Sequence, residues 1–372
     1  MERRLLILLS ASQQGGAENE VLEFLKKYDK SRFSLTVITI KKGNIDEIFE
    51  KQCKLNNIDY RCLNSEKKFS LSTLYKLVSI IYNNKIDLVH ANLIQSEIYA
   101  SLSKLFKWDL EIVSSKLAFN SFKYSFSYKV IAKLMSYTNK KIILISESLL
   151  EFYHCTINIP KNKLKVVYCG VDPKYFNNTY SEKKISDLKK KNKIGQDDFT
   201  IGIVGRLVKI KNHITLFRAI NILKSKIPFI KLLVVGTGEL EISLKDYVKK
   251  NNLSKHVIFM GFKRDLIDVY SVMDIFCLPS FKEGFGKVIV EARGCDAFVI
   301  ASNTTAMKEL INNKTDGFLF DPKSENELAN TIYWVYKNQD KAKIMARKGK
   351  LLAENKFDMS KIVSEKEDIF CN

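Results

Sequence analysis

No Asp-x-Asp pair occurs anywhere in the 372 residues, no two cysteines stand in a C-x-x-C spacing, and the four histidines are scattered. The first absence weighs against a carboxylate-held Mg²⁺ on a phosphorylated substrate. The other two weigh against a zinc or His-rich metal centre, and no metal or cofactor is expected. The seven cysteines, Cys53, Cys62, Cys155, Cys169, Cys277, Cys295 and Cys371, are odd in number and follow no pairing pattern. They read as free thiols in a reducing cytoplasm. No apolar run reaches the ~18 residues of a spanning helix. The opening "MERRLLILLSAS" imitates a secretory signal, with Arg3 and Arg4 before an apolar run. That run falls short of the ~7–15 residues of a signal core, so a buried first strand is expected instead.

What is present is apolar bulk and positive charge. The hydrophobic share is 46%, enough for real cores, and the length favours two domains. The net charge is +20, with 27 Lys+Arg against 17 Asp+Glu in residues 1–178 and 34 against 24 after them. The excess is even, so no single basic tail explains it. Such a balance favours an anionic partner: nucleic acid, a membrane surface or a phosphorylated substrate.

Short apolar runs alternate with amphipathic stretches from end to end. In the first half "RLLILL", "FSLTVITI", "DLVHA", "EIVSS", "KIILIS" and "LKVVY" read as strands, with helical patterns over 17–28 and 71–83. In the second half "FTIGIVG", "KLLVVG", "HVIFMG", "DIFCLPS", "AFVIAS" and "GFLF" read the same way. Continuous apolar strands between helices imply parallel sheets covered on both faces. The expected fold class is therefore α/β, with two Rossmann-like domains over 1–178 and 179–355. A C-terminal helix within 356–372 has no strand after it and is free to pack back on the first domain. The polar stretch 177–198 is the expected linker, leading into a short exposed helix. Ligands of open parallel sheets bind at the carboxyl ends of strands, so the site is expected in a cleft between the domains.

Four post-strand loops carry candidate chemistry. After the first strand, Gly15 and Gly16 open a helix whose free N–H groups can meet an anion or hydroxyls, or simply make a β–α turn. "GRLVKIKNH" brings Arg206 and Lys211 to one strand end behind Gly205. They are either a diphosphate clamp or two solvated cations. "VVGTGELE" places Gly236 and Gly238 after a strand but has Glu241 where a dinucleotide fingerprint has its third glycine. "SFKEGFGKVIVEA" puts Glu283 before Gly284, Phe285 and Gly286 at a helix mouth, where dipole and N–H donors favour an anion. Glu291 lies about one and a half turns inside, among Val288, Ile289, Val290 and Ala292. A carboxylate so placed is costly unless paired. It is either solvated or paired with Lys287 four residues back, or it awaits a ligand.

With these loops in order, the sequence resembles the retaining glycosyltransferases of family 4, with the GT-B fold of two Rossmann-like domains facing across a cleft. "GGAENEVLEFL", "KIDLVHAN", "IILISESLLEFY", "KLKVVYCGVDPKYF", "GIVGRLVKIKN", "LLVVGTGELE", "VIFMGF", "DVYSVMDIFCLPSFKEGFGKVIVEA" and "DGFLFDP" carry the likeness over nearly the whole chain. The resemblance implies an N-terminal acceptor domain and a C-terminal domain for a nucleotide-sugar donor. Arg206 and Lys211 would grip the donor diphosphate beside Gly205 and Gly236, and Glu283 would lie by the donor sugar. The amides from Gly284 through Phe285 to Gly286 would meet sugar hydroxyls or phosphate. Glu291 would accept from ribose hydroxyls, and the "MGFKRD" turn with Phe262 would hold the base. Gly15, Gly16 and His90 would face the acceptor, though a lone His at a strand end also serves structure. Arg206 and Lys211 would stabilise the leaving diphosphate without metal, and donor phosphate would take the acceptor proton with the anomer retained.

This chain departs from that pattern in places. Lys116 and Leu117 stand where many relatives carry His, Cys169 replaces Asn, Asn212 replaces Gly, and "TTAMKEL" lacks a glycine pair before Glu309. Residues 112–146 hold six lysines and no acid, interleaved with Phe119, Phe122, Tyr124, Phe126, Tyr128 and Tyr137. This segment suits an anionic membrane surface; otherwise it is a solvated helix face over core aromatics. The expected function is a cytoplasmic, membrane-peripheral hexosyltransferase using a UDP-linked donor and a glycan or lipid-linked acceptor. The rivals are a sugar-nucleotide epimerase of the same fold and a basic nucleic-acid-binding protein. The even charge split and lack of a binding module weigh against the second rival, and no nucleic-acid partner is expected.

Overall fold

The structure, a computed structural model, describes residues 2–12, 16–67, 69–117, 126–177 and 180–371. The chain forms two units, Met1–Gly170 with Met359–Asn372, and Val171–Asp358. The expected boundary after residue 178 thus moves to 170. The tail from Met359 is part of the first unit, while residues 356–358 belong to the second.

In the first unit β1 (Arg3–Ala11), β2 (Phe33–Lys41), β3 (Asp59–Cys62), β4 (Leu88–Asn92), β5 (Glu111–Lys116), β6 (Lys141–Leu144) and β7 (Leu164–Val166) form one sheet in the order β3-β2-β1-β4-β5-β6-β7. All its paired strands are parallel, as crossover helices require. In β1 the strand period of two sends Leu5, Ile7 and Leu9 into one core and Leu6 and Leu8 into another. Burying each such side chain contributes roughly 1.5–3 kcal/mol. β3 was not expected: "DYRC" is an edge strand with no residue fully buried, so it shows no apolar run.

The helix Met359–Cys371 fills out the first of these cores with Met359, Ile362, Val363 and Phe370. Its polar edge is fastened as well. Lys366 pairs with Glu20 in the interior, and Glu367 accepts from the Asp29 amide at 2.6 Å. Asp368 meets Arg32 at 3.0 Å.

In the second unit β8 (Phe199–Val204), β9 (Ile230–Val235), β10 (Val257–Gly261), β11 (Ile275–Leu278), β12 (Phe298–Ser302) and β13 (Phe318–Phe320) run in the order β10-β9-β8-β11-β12-β13. These are the six strands read from the sequence. The order reverses between β8 and β11. A crevice therefore opens beyond their carboxyl ends, the place where open α/β sheets bind ligands. The expected linker holds the helix Glu182–Lys191, capped by Ser181. Among the described residues no helix is long and apolar enough to cross a membrane.

Candidate functional site

The loops after β8 and β11 flank that crevice, and they bring Lys211 and Glu283 together. Lys211 Nζ stands 2.6 Å from Glu283 Oε1, and Ser280 Oγ donates to the same oxygen at 2.7 Å. Both charged side chains keep part of their surface open. Arg206 is exposed in the same loop, and its side chain makes no ion pair or hydrogen bond with the described residues. The loop thus presents Lys211 as a committed cation, with Arg206 and Lys209 exposed beside it.

Asn212 holds the two loops in register. Its φ of 53° is left-handed, a conformation that Gly and Asn adopt at low cost, which accounts for Asn in the place of Gly. Its Nδ2 donates to Pro279 O at 3.0 Å and Pro322 O at 2.8 Å. Gly236 has a different duty. A Cβ there would lie 2.0 Å from Gly205 O, so the crossing of the β8 and β9 loops requires glycine whatever binds nearby.

The loop after β11 passes through Gly284 and the buried Phe285, whose ring meets Phe357 edge-on at 5.4 Å. It reaches Gly286 at φ 97°, the residue that precedes the helix Lys287–Gly294. Phe285 is an anchor, and Gly286 lets the chain turn into the helix. Phe262 is exposed on the turn after β10.

Glu291 has a partner that its sequence neighbours do not reveal. Tyr270 Oη donates to Glu291 Oε2 at 3.1 Å, whereas Lys287 Nζ stands 4.0 Å from Oε1. Tyr270 is fully buried, edge-on to Tyr175 and Phe276. Burial pushes the Glu291 carboxyl above its ordinary range, opposed by Lys287, the Tyr270 hydrogen bond and Lys174. The Tyr270 phenol is pushed well up, first by burial and then by Glu291 itself.

A carboxyl whose pKa is raised by folding makes the fold less stable above its folded pKa. That penalty disappears as pH falls below the ordinary value of 4.5. Glu291→Gln is therefore expected to stabilise the second unit at pH 8, by on the order of 1 kcal/mol, and to lose that gain at pH 4. Melting curves at the two pH values check this; a variant destabilised at pH 8 would contradict it.

In the first unit Gly15 lies outside the described residues. Gly16 begins the exposed end of the helix Gly16–Lys27, with nothing within 4 Å of a Cβ placed on it. His90 does not fit an acceptor-side role. It is buried, its Nε2 lies 2.7 Å from Ser115 Oγ, and its ring packs 4.9 Å from Phe370. Burial, helped by Lys366, depresses its pKa to about 3, so the imidazole is neutral. Lys116 is also inside, paired with Glu97, whose other oxygen accepts from Asn139 Nδ2 at 2.8 Å. It is held as structure and is not displayed in place of a histidine.

Sequence reasoning missed Ser280, Tyr270 and the bridging role of Asn212. Only Asn212 left a signal, as Asn at a position where Gly is usual.

Comparison with known proteins adds to this geometry. The family described as Glycosyl transferases group 1 matches residues 184–352, and Glycosyltransferase Family 4 matches residues 14–175. The chain is 31% identical over 256 residues to the capsular polysaccharide biosynthesis glycosyltransferase CapM of Staphylococcus aureus, covering 67% of this chain and 66% of that protein. An uncharacterized glycosyltransferase of Methanocaldococcus jannaschii is 28% identical, with 50% of its own length matched. A UDP-Gal:alpha-D-GlcNAc-diphosphoundecaprenol alpha-1,3-galactosyltransferase of Escherichia coli is 24% identical over 95% of this chain and 93% of its own. Among solved structures, Anabaena Alr3699/HepE in complex with UDP superimposes with a TM-score of 0.87 at 21% identity, covering 99% of both chains. That likeness establishes the GT-B fold.

Proposed function

We propose, because this chain belongs to the group 1 glycosyl transferases and carries a Glycosyltransferase Family 4 half, that it moves a hexose-type sugar from a UDP-linked donor to a glycan or lipid-linked acceptor. The product would be a surface polysaccharide or glycoconjugate. The observation that carries the donor half of this reading is the Lys211–Glu283–Ser280 cluster with Arg206 free beside it, at the point where the sheet order reverses. Arg206 and Lys211 face the diphosphate and balance the charge that grows on it as the sugar leaves. Glu283 lies by the donor sugar, and the turn from Gly284 to Gly286 offers its amides there. Glu291, braced by Tyr270, accepts from the ribose hydroxyls. Donor phosphate takes the acceptor proton, and the anomeric configuration is retained. The named activities of relatives in capsular polysaccharide and diphosphoundecaprenol chemistry support the acceptor class.

Thermal shift across nucleotide sugars, followed by product analysis with the stabilising donor, tests the reading. UDP-sugars are expected to stabilise the protein and oligonucleotides are not. Conversion of a UDP-sugar to its epimer without transfer would favour the epimerase instead. Turnover is expected to survive EDTA, since protein cations occupy the place of a metal. Activity that vanished with chelator and returned with Mg²⁺ or Mn²⁺ would overturn that part. Glu291→Gln is expected to weaken UDP binding about tenfold or more, because a charged acceptor is worth ~1.5–3 kcal/mol; unchanged calorimetric affinity would remove Glu291 from the donor site.

Peripheral attachment to the inner face of an anionic membrane belongs to the same proposal. Residues 118–125 of the basic aromatic segment lie outside the described residues. The helix Phe126–Thr138 supports the reading, because Phe126, Val130, Leu134 and Tyr137 are all exposed on it.

A further inference from the structure

Three helices of the first unit end near one another: Leu71–Asn83, Ile94–Ser103 and Phe126–Thr138. Tyr82 Oη donates to Phe106 O at 2.5 Å, tying the end of the first to the turn that follows the second. Ser101 Oγ and Thr138 Oγ1 share a hydrogen bond of 2.8 Å, tying the second to the third.

The turn between Ser103 and β5 displays three large apolar side chains. Leu105 is 79% exposed, Phe106 58% and Trp108 84%. The turn is well fastened. The Lys107 amide donates to Ser103 O at 3.1 Å, and Lys104 Nζ to Leu110 O at 2.9 Å. Its apolar side chains are therefore held outward by a folded backbone. Tyr82 and Tyr137 are exposed beside it. From Tyr137 the exposed row Leu134, Val130, Phe126 runs back along its helix at intervals of three and four residues, which is one face. Soluble surfaces rarely expose so much contiguous apolar area without a partner.

Charge identifies the partner. Lys104, Lys107, Lys129, Lys133, Lys140 and Lys141 stand on the same turn and helix or just after them. Asp109 pairs with Lys107 at 2.8 Å, and Glu111 pairs with both Arg3 and Lys140, which leaves Lys104, Lys129, Lys133 and Lys141 with no ion-pair partner among the described residues. Aromatic and leucine side chains ringed by lysines fit the boundary between headgroups and acyl chains. There the rings sit at headgroup level and the lysine stems lie along apolar surface with their ammonium groups outward.

We propose that Leu105, Phe106 and Trp108 form a wedge that enters the interfacial layer of an anionic phospholipid bilayer, with the row from Phe126 to Tyr137 lying along the same surface. This deepens the membrane reading above by naming an insertion point outside the basic aromatic segment, and it does not depend on the donor site.

The chain has two tryptophans, Trp108 and Trp334. Trp334 packs edge-on to Phe318 in the second unit, so Trp334→Phe leaves Trp108 as the sole reporter. Should that variant fold poorly, the difference between wild type and Trp108→Ser reports the same signal. With vesicles of phosphatidylglycerol and phosphatidylcholine, Trp108 emission is expected to shift to the blue and to be quenched by brominated acyl chains. Phosphatidylcholine alone should give far less. Leu105→Ser/Phe106→Ser/Trp108→Ser should bind the anionic vesicles about tenfold or more weakly and bind UDP as wild type does. Unshifted Trp108 emission on anionic vesicles at low salt would overturn the proposal. So would a wild-type dimer in solution that the triple variant dissolves, since the face would then be covered by a second copy. Loss of UDP binding in wild type would count against the donor assignment and leave the wedge standing.

Discussion

Lys211→Ala is expected to weaken UDP binding by ~2–4 kcal/mol, at least about thirtyfold, and Arg206→Ala by about tenfold. The ranking follows from the two environments. Arg206 is exposed, so water takes over much of what the guanidinium supplied. Lys211 is partly buried and already neutralises Glu283 at 2.6 Å. In the proposed donor site its removal would delete one contact to diphosphate and leave the Glu283 carboxylate, now without its cation, near that anion. Glu283→Gln in the Lys211→Ala background should therefore recover part of the lost affinity, although Glu283→Gln alone should mainly slow turnover. Such recovery is the signature of coupled residues. Calorimetry on the two single variants and the double variant reads the cycle. Strict additivity, or wild-type affinity in Lys211→Ala, would remove Lys211 from the donor site.

A second large effect is expected far from that site. Lys366 and Glu20 are both nearly inaccessible and pair with each other, and Cys169 Sγ lies 3.6 Å from the other Glu20 oxygen. Removing one partner of a buried pair costs about 3–5 kcal/mol, because the remaining charge has no water to turn to. Lys366→Ala should lower the urea midpoint of the first unit by that equivalent. Replacing both residues with apolar ones of similar size, Glu20→Leu with Lys366→Met, should recover most of it. The two units need not unfold together, so each needs its own probe. Trp334 reports the second, whereas Trp108 is 84% exposed and silent to unfolding, so amide exchange along β1 reports the first. A Lys366→Ala protein with unchanged amide protection along β1 in urea would show that the pair contributes nothing.

Much of the architecture was legible because parallel strands between helices are apolar on both faces. All six strands of the second unit announced themselves as runs such as "KLLVVG" and "AFVIAS". β3 did not, because an edge strand that is only half-buried, with Tyr60 its one contact to the core, has little reason to be apolar. Lys211 and Glu283 could be singled out from their glycine-bearing loops, and Glu291 from its apolar neighbours on a helix. Their supports were not: Tyr270 reaches Glu291 across 21 positions of chain, and Asn212 reaches Pro322 across 110. Local pattern pointed to Lys287 as the partner of Glu291, yet its ammonium stands farther off than the Tyr270 hydroxyl. His90 was legible as a residue at a strand end, but its burial under Phe370 depends on a helix near the other end of the chain.

That helix sets an order of events during synthesis. The first unit draws Met359, Ile362, Val363 and Phe370 into the core built on β1, and the whole second unit lies between them and β1 in sequence. As the chain lengthens, β1 and β2 can pair early, but one wall of their core stays open to water until residues past 358 have been made. The second unit is continuous in sequence and can close on its own first. The half-built first unit is thus the sticky nascent species, and a chaperone that shields apolar surface would have most to do before the last helix arrives.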